Sequence, residues 1–172
     1  MSYSSNHHCL LDLNQRHQTR RWFYFQPLAA LAATLAVGLS TAQAQVPTQA
    51  PLETIPLFAG MHRVNAELAI TPEQRAIGLM GRTHMADNAG MLFVFQDANM
   101  QCFWMANTLI PLSIAFLKND GTITNIAHMQ PQSRTSHCST EPVRFALEVN
   151  QGWFEQRNIQ AGQIVRGLPP SP

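Results

Sequence analysis

Four polar residues set inside apolar stretches make this chain's best claim to chemistry. Arg82 follows Gly78-Leu79-Met80-Gly81, Asn107 and Thr108 follow Phe103-Trp104-Met105-Ala106, and Glu148 lies between Leu147 and Val149. A guanidinium, an amide, a hydroxyl and a carboxylate gathered at the mouth of a β fold could orient a bound ligand. In an enzyme, Arg82 and Glu148 could work together in a cleft. The structural account of the same residues is preferred. An unpaired buried carboxylate is costly, so Arg82 and Glu148 are expected to form an internal ion pair, while Asn107 and Thr108 satisfy a turn.

Other catalytic arrangements are missing. Neither a Gly-x-Ser-x-Gly elbow nor a Cys-His nucleophile pair can be read. Ser133, Ser136 and Ser139 stand near His137, but nothing in the sequence positions them. Carboxylates paired for glycoside chemistry are not visible either. Whether the chain is an enzyme is therefore left open, with binding favoured over catalysis, and no cofactor is expected.

Sulfur and imidazole groups offer a second line. Cys102 is expected in a core strand and Cys138 in a polar loop, and a structural disulfide would pin that loop across the domain. A redox-active pair would more often show Cys-x-x-Cys spacing. His84-Met85, His128-Met129 and His137-Cys138 place imidazole beside soft sulfur, which suits copper. Met80, Met91 and Met105, however, fall on apolar faces where methionine is ordinary core filling. No metal ligands are assigned, and metal handling stays a minor alternative.

These groups must be held by a folded scaffold. The chain has 172 residues, a formal net charge of +1, 45% hydrophobic residues and 12% charged ones. That balance favours a globular protein over disorder, and without a basic patch nucleic acid is not an expected partner.

Residues 1–44 read as a signal peptide. Arg16, Arg20 and Arg21 precede the apolar run Leu28 to Leu39, and Ala42-Gln43-Ala44 supplies a small-x-small cleavage site. The run is shorter than the roughly 20 residues that a membrane span needs, so no span is expected once the signal is removed. Thr19-Arg20-Arg21-Trp22-Phe23 also resembles a twin-arginine signal, though an ordinary basic region is the preferred reading. The mature protein is expected to be periplasmic or secreted.

Residues 45–60, with Pro47, Pro51 and Pro56, read as a linker, residues 61–168 as a single domain and residues 169–172 as a tail. Within the domain, His62 to Ile70 alternates as a strand should. Thr71-Pro72-Glu73-Gln74 combines a cap, a first-turn proline and a capping box, predicting a short helix that ends by Gly81. Gly90 to Phe95 reads as a strand covered on both faces, followed by a turn over Gln96 to Asn99. The stretch Gln101 to Leu117 reads as buried strands around a polar interruption. Lys118-Asn119-Asp120-Gly121 signals a hairpin into Thr122 to Met129. Val143 to Val149 is another strand, Asn150 to Asn158 a possible short helix, and Ile164-Val165 a last short strand. Strands this short and frequent predict a mainly β fold: a compact antiparallel sandwich or partly open barrel with one or two short helices.

Gly78-Leu79-Met80-Gly81-Arg82, Gly90 to Phe95, Phe103 to Thr108, Ile110-Pro111-Leu112 and Ala146-Leu147-Glu148 occur in that order. Together they resemble the domain-of-unknown-function 192 (DUF192) family, small bacterial and archaeal proteins. The resemblance spans nearly the whole domain and implies a mainly β, sandwich-like fold with no assigned activity. Family members often carry Asp after the Pro-Leu, where this chain has Ser113, so any metal or acid–base role of that Asp is not expected here. The combined reading is an exported bacterial member of this family. It would be a binding or accessory module of the cell envelope, with a small molecule or an envelope protein as partner. The alternatives are an envelope enzyme with a polar cleft around Arg82 and Glu148, and a periplasmic metal-handling protein.

Overall fold

A computed structural model describes residues 46–170. The expected signal peptide, with its basic region and cleavage motif, lies outside the described residues, as do the last two residues of the expected tail.

The chain enters the sheet earlier than its prolines suggest. Strand β1, Thr54–Ala59, lies inside the stretch expected to be linker, and it pairs antiparallel with β2, His62–Ala69, across a turn at Gly60 and Met61. Leu57 and Ala59 of β1 are fully or nearly buried. Its outer neighbour, the short strand β9 (Val165–Arg166), meets only Phe58 and Ala59, so Pro56 costs no ladder bond on that side.

The helix α1, Pro72–Ile77, starts as its sequence requires. The Thr71 hydroxyl accepts from the Gln74 amide, and the Gln74 side chain accepts from the Thr71 amide. It ends at Gly78, whose φ of +52° suits glycine. The helix returns the chain beside β2, and β3, Ala89–Asn99, pairs parallel with β2. This parallel pair departs from the all-antiparallel expectation. A crossover of one helix and a loop gives it the length that parallel pairing needs. β3 also runs through Gln96–Asn99, where a turn was expected, with its register on the next strand shifted between Val94 and Asn99.

β4 is only Cys102–Phe103, and it pairs with β7, His137–Cys138, as a separate two-stranded ribbon. β5 (Leu112–Leu117) and β6 (Ile123–Met129) form the expected hairpin, with Gly121 at φ +87°. β8, Val143–Asn150, lies between β5 and β3. A single 3-10 turn at Glu155–Arg157 stands where a short helix was expected.

The main sheet has seven strands in the order β6-β5-β8-β3-β2-β1-β9. It curls until its two ends approach. The Ile123 amide donates to the Gln163 carbonyl at 2.9 Å, and the Val165 amide to the Gly121 carbonyl at 2.9 Å. This is the partly open barrel of the two predicted forms, built from one sheet instead of two facing ones.

Period-2 alternation divides the core between the two faces of the curl. Leu57, Val64, Leu92, Ala115, Ile123, Phe145, Leu147 and Val165 draw every strand of the sheet into the inner cluster, which Trp153 and Phe154 complete. Met91, Phe93, Leu112, Ile114, Phe116 and Ala146 lie on the outer face of the central strands. Leu79, Met85 and Met105, from the segments around α1 and the β4–β7 ribbon, cover that outer face. Strands β3, β5 and β8 are thus buried on both sides, as their unbroken apolar runs predict. At Gly90 the strands crowd: a Cβ there would stand 2.6 Å from the backbone oxygen of Glu148.

Candidate functional site

Glu148 sits on the outer face of β8, directly between Met91 of β3 and Ile114 of β5. Alternation puts it opposite Leu147 and Val149, on the same side as Ala146, as the sequence predicts. Its side chain is buried (4% exposed), and no described residue donates a hydrogen bond to it or pairs with its charge. Burial in these apolar surroundings pushes its carboxyl up to about 8 from an ordinary value near 4.5. It is a neutral acid at pH 7.

Arg82 is not its partner. The guanidinium grips Glu67 of β2 with both terminal nitrogens, at 2.5 and 2.7 Å, and the Leu52 amide donates to the same carboxylate at 3.1 Å. Burial alone would raise the Glu67 carboxyl, but the Arg82 and Leu52 hydrogen bonds hold it below its usual range. The expected pair of Arg82 with Glu148 is therefore corrected. The carboxylate that meets the loop after α1 is on β2, an element whose proximity the sequence did not disclose.

Glu148 lines a cavity of about 400 Å³, within the range of small-molecule sites. Strands β3 and β8 form its base with Phe93, Phe95 and Glu148. Gly78, Leu79 and Met80, just after α1, make one wall, and Phe103 and Trp104 of the β4 region make another. Phe103 stands edge-on to Phe93 at 4.9 Å and to Phe95 at 6.4 Å between centroids, the arrangement ring quadrupoles favour. Trp104 is 62% exposed and Ser136 is exposed too, so the cavity opens to solvent between them.

The walls are tied to each other through backbone hydrogen bonds. The Gly81 amide donates to the Asn107 carbonyl at 3.0 Å, the Met105 amide to the Ser133 carbonyl at 2.9 Å, and the Gln132 amide to the Thr108 carbonyl at 3.0 Å. Cys102 and Cys138 form a disulfide across the β4–β7 ribbon. The bond is present as expected, but both cysteines are exposed, so the expected placing of Cys102 in the core is corrected. β4 lies on the cover of the outer face, and only Phe103 and Met105 of the Cys-Phe-Trp-Met run turn inward.

Of the four residues singled out by sequence, the structure brings Thr108 and Glu148 to the same cavity. Asn107 is exposed, its side-chain nitrogen 3.7 Å from the Met80 sulfur, and Arg82 serves Glu67. Arg75 was missed. Its Nη1 donates to the Val94 carbonyl at 3.0 Å and to the Ile70 carbonyl, and its guanidinium lies 5.3 Å from the centre of the Phe95 ring. Among the described residues, Arg75 and Glu148 are the charged ones that line the cavity. Nothing local in the sequence marks Arg75, since a basic residue in the last turn of a helix is ordinary. The aromatic wall was more legible: alternation along β3 puts Met91, Phe93 and Phe95 on one face.

A second polar group has the composition of a catalytic relay but not the access. Ser113 Oγ lies 2.9 Å from His128 Nδ1, and His128 Nε2 lies 2.7 Å from Glu155 Oε1. The Ser113 hydroxyl also accepts from the Gly152 amide at 3.0 Å and has no exposed surface. Held by two partners and sealed, it fastens β5 and β6 to the segment after β8. Among the described residues, no group of three His, Cys, Asp or Glu side chains could hold a metal ion, and no helix is long and apolar enough to cross a membrane.

The model of the DUF192 family, described as an uncharacterized ACR, matches residues 55–167. A solved structure from Sinorhizobium meliloti 1021, described as a candidate transcription regulator, is similar at 34% identity and a TM-score of 0.65, covering 69% of this chain and 97% of that one. A protein of unknown function from Novosphingobium aromaticivorans DSM 12444 is similar at 35% identity and a TM-score of 0.66, covering 73% and 94%. No curated protein matches the chain.

Proposed function

The chain belongs to the DUF192 family, and from that premise we propose that it is a binding module of the cell envelope whose cavity over β3 and β8 takes a small molecule. One observation carries the reading: Glu148 is buried, without a partner among the described residues, at the base of an open aromatic cavity. Folding would be easier with an apolar side chain there, and groups kept against stability concentrate at functional sites. The envelope assignment rests on the basic region, apolar run and Ala-Gln-Ala motif of residues 1–44.

A second reading, an envelope enzyme, is favoured by the same carboxyl. An acid held protonated up to about pH 8 is suited to donate a proton near neutrality. Arg82 has no part in that version. A regulatory role of the kind named for the Sinorhizobium meliloti protein finds less support here. Arg75, Arg82 and Arg157 are each engaged within the fold, and residues 45–172 carry nearly balanced charge.

Native mass spectrometry of the protein recovered from periplasm tests the proposal. A bound small molecule that is absent from the Glu148→Gln protein supports it. Unliganded protein in both cases, with no binding from a periplasmic metabolite extract, overturns it. Consumption of the retained molecule on incubation would move the assignment to the enzyme.

A further inference from the structure

We propose that the ligand of this cavity is an organic cation, an ammonium or amidinium group on an apolar body, whose charged head pairs with Glu148. The proposal rests on the binding role given above and names the class of molecule bound.

Three features of the cavity select this class. No described residue donates to the carboxyl at the base, so the position opposite it is left for a group the ligand brings. The surrounding surface is aromatic: Phe93, Phe95 and Phe103 form a cluster of edge-to-face rings, and Trp104 stands at the mouth. Ring faces attract cations, and this wall already holds one, the Arg75 guanidinium over Phe95. An anionic head would meet an acid that can ionise and repel it. A bare metal ion would find a single carboxylate and too few further ligands.

The chemistry is balanced by a proton. Free Glu148 is a neutral acid at pH 7. When the ammonium enters, the carboxyl loses its proton to buffer and the resulting carboxylate pairs with the ligand's charge. Among the described residues Arg75, from α1, is the other charged group lining the cavity; β8 also carries the buried Arg144, whose Nε donates to the Phe95 carbonyl at 3.0 Å.

Three probes of one shape test this by calorimetry on the purified protein: phenylbutylammonium, phenylbutanol and phenylbutanoate. The ammonium is expected to bind at least about tenfold more tightly than the alcohol, with the anion weakest. Repeating the titration at pH 7 in buffers of different ionisation enthalpy should show proton release on binding of the ammonium, and none for the alcohol. Glu148→Gln keeps shape and neutrality; it should erase the preference for the ammonium over the alcohol. Preferential binding of the alcohol or the anion, or an ammonium preference surviving in Glu148→Gln, overturns the cation assignment while keeping the cavity as a binding site. If no probe binds, both fall.

Discussion

Arg82 closes on Glu67 with two hydrogen bonds of 2.5 and 2.7 Å, and among the described residues no cation is paired with the carboxyl of Glu148. The first pair fastens the loop after α1 to β2. The second group, Glu148, lines the cavity over β3 and β8.

Breaking the Arg82–Glu67 pair should therefore cost stability and spare binding. Arg82→Ala is expected to lose about 2 kcal/mol, since both partners are mostly buried and the bond is two-pronged. Because the Glu67 carboxyl is held low, its contribution is fully present above the ordinary value near 4.5 and is lost as pH falls through its folded value. Urea unfolding at neutral and acid pH checks both points: the difference between native protein and Arg82→Ala should shrink in acid.

Glu148 should act in the opposite sense. Its folded carboxyl is raised to about 8, so it does not oppose folding below about 4.5, where it is protonated in both states. As pH rises from there to 8 the unfolded chain ionises while the folded one resists, and stability falls. Glu148→Gln removes this dependence. At pH 8 it should be more stable than the native protein by up to something on the order of 4 kcal/mol, and near pH 5 close to equal. Thermal unfolding across that range is the check. A variant less stable at pH 8 would mean that Glu148 holds the fold together.

Removing the disulfide should loosen one cavity wall before it unfolds the protein. Cys102 and Cys138 are 36 residues apart, and a closed loop of that size is worth at most about 4 kcal/mol in the chain-entropy model. The ribbon they join is only two residues long on each strand, and beside it the segments are held by the bonds of Ser139 with Gln101 and of Met105 with Ser133. In Cys102→Ser with Cys138→Ser, hydrogen exchange should rise first around residues 101–105 and 133–139, with β3, β5 and β8 still protected.

Export is checked at the N-terminus. Sequencing of protein taken from the envelope should begin at Gln45, one residue after the Ala42-Gln43-Ala44 motif. Intact chains confined to the cytoplasm would remove the envelope from the account and leave the cavity untouched.

How much of this was legible in the sequence follows from how local each signal is. The Thr71 to Gln74 cap, the Asp120-Gly121 hairpin and the side of β8 on which Glu148 projects depend on neighbours a few residues away, and all stand as read. The partner of Arg82 depends on which strand lies beside the loop after α1. Arg82 and Glu67 are 15 residues apart, on segments brought together by the parallel pairing of β2 with β3. Alternation cannot report that pairing. Strand β1 was hidden for a related reason: Pro47, Pro51 and Pro56 read as a tether, yet an edge position spares the missing amide of Pro56. The cavity as a whole was not legible, because Arg75, Phe95, Phe103 and Glu148 come from four elements. Only Glu148, charged between Leu147 and Val149, and the alternation that puts Phe93 and Phe95 on one face of β3 carried a local sign.

The most direct test of the account is the titration of one carboxyl. Following the side-chain carboxyl carbon of Glu148 by NMR should give a midpoint near 8 in the free protein. Addition of phenylbutylammonium should move that midpoint below neutrality as the cavity fills. A midpoint near 4.5, unmoved by the probe, would mean that Glu148 is solvated or already paired and that the cavity holds no ligand through it.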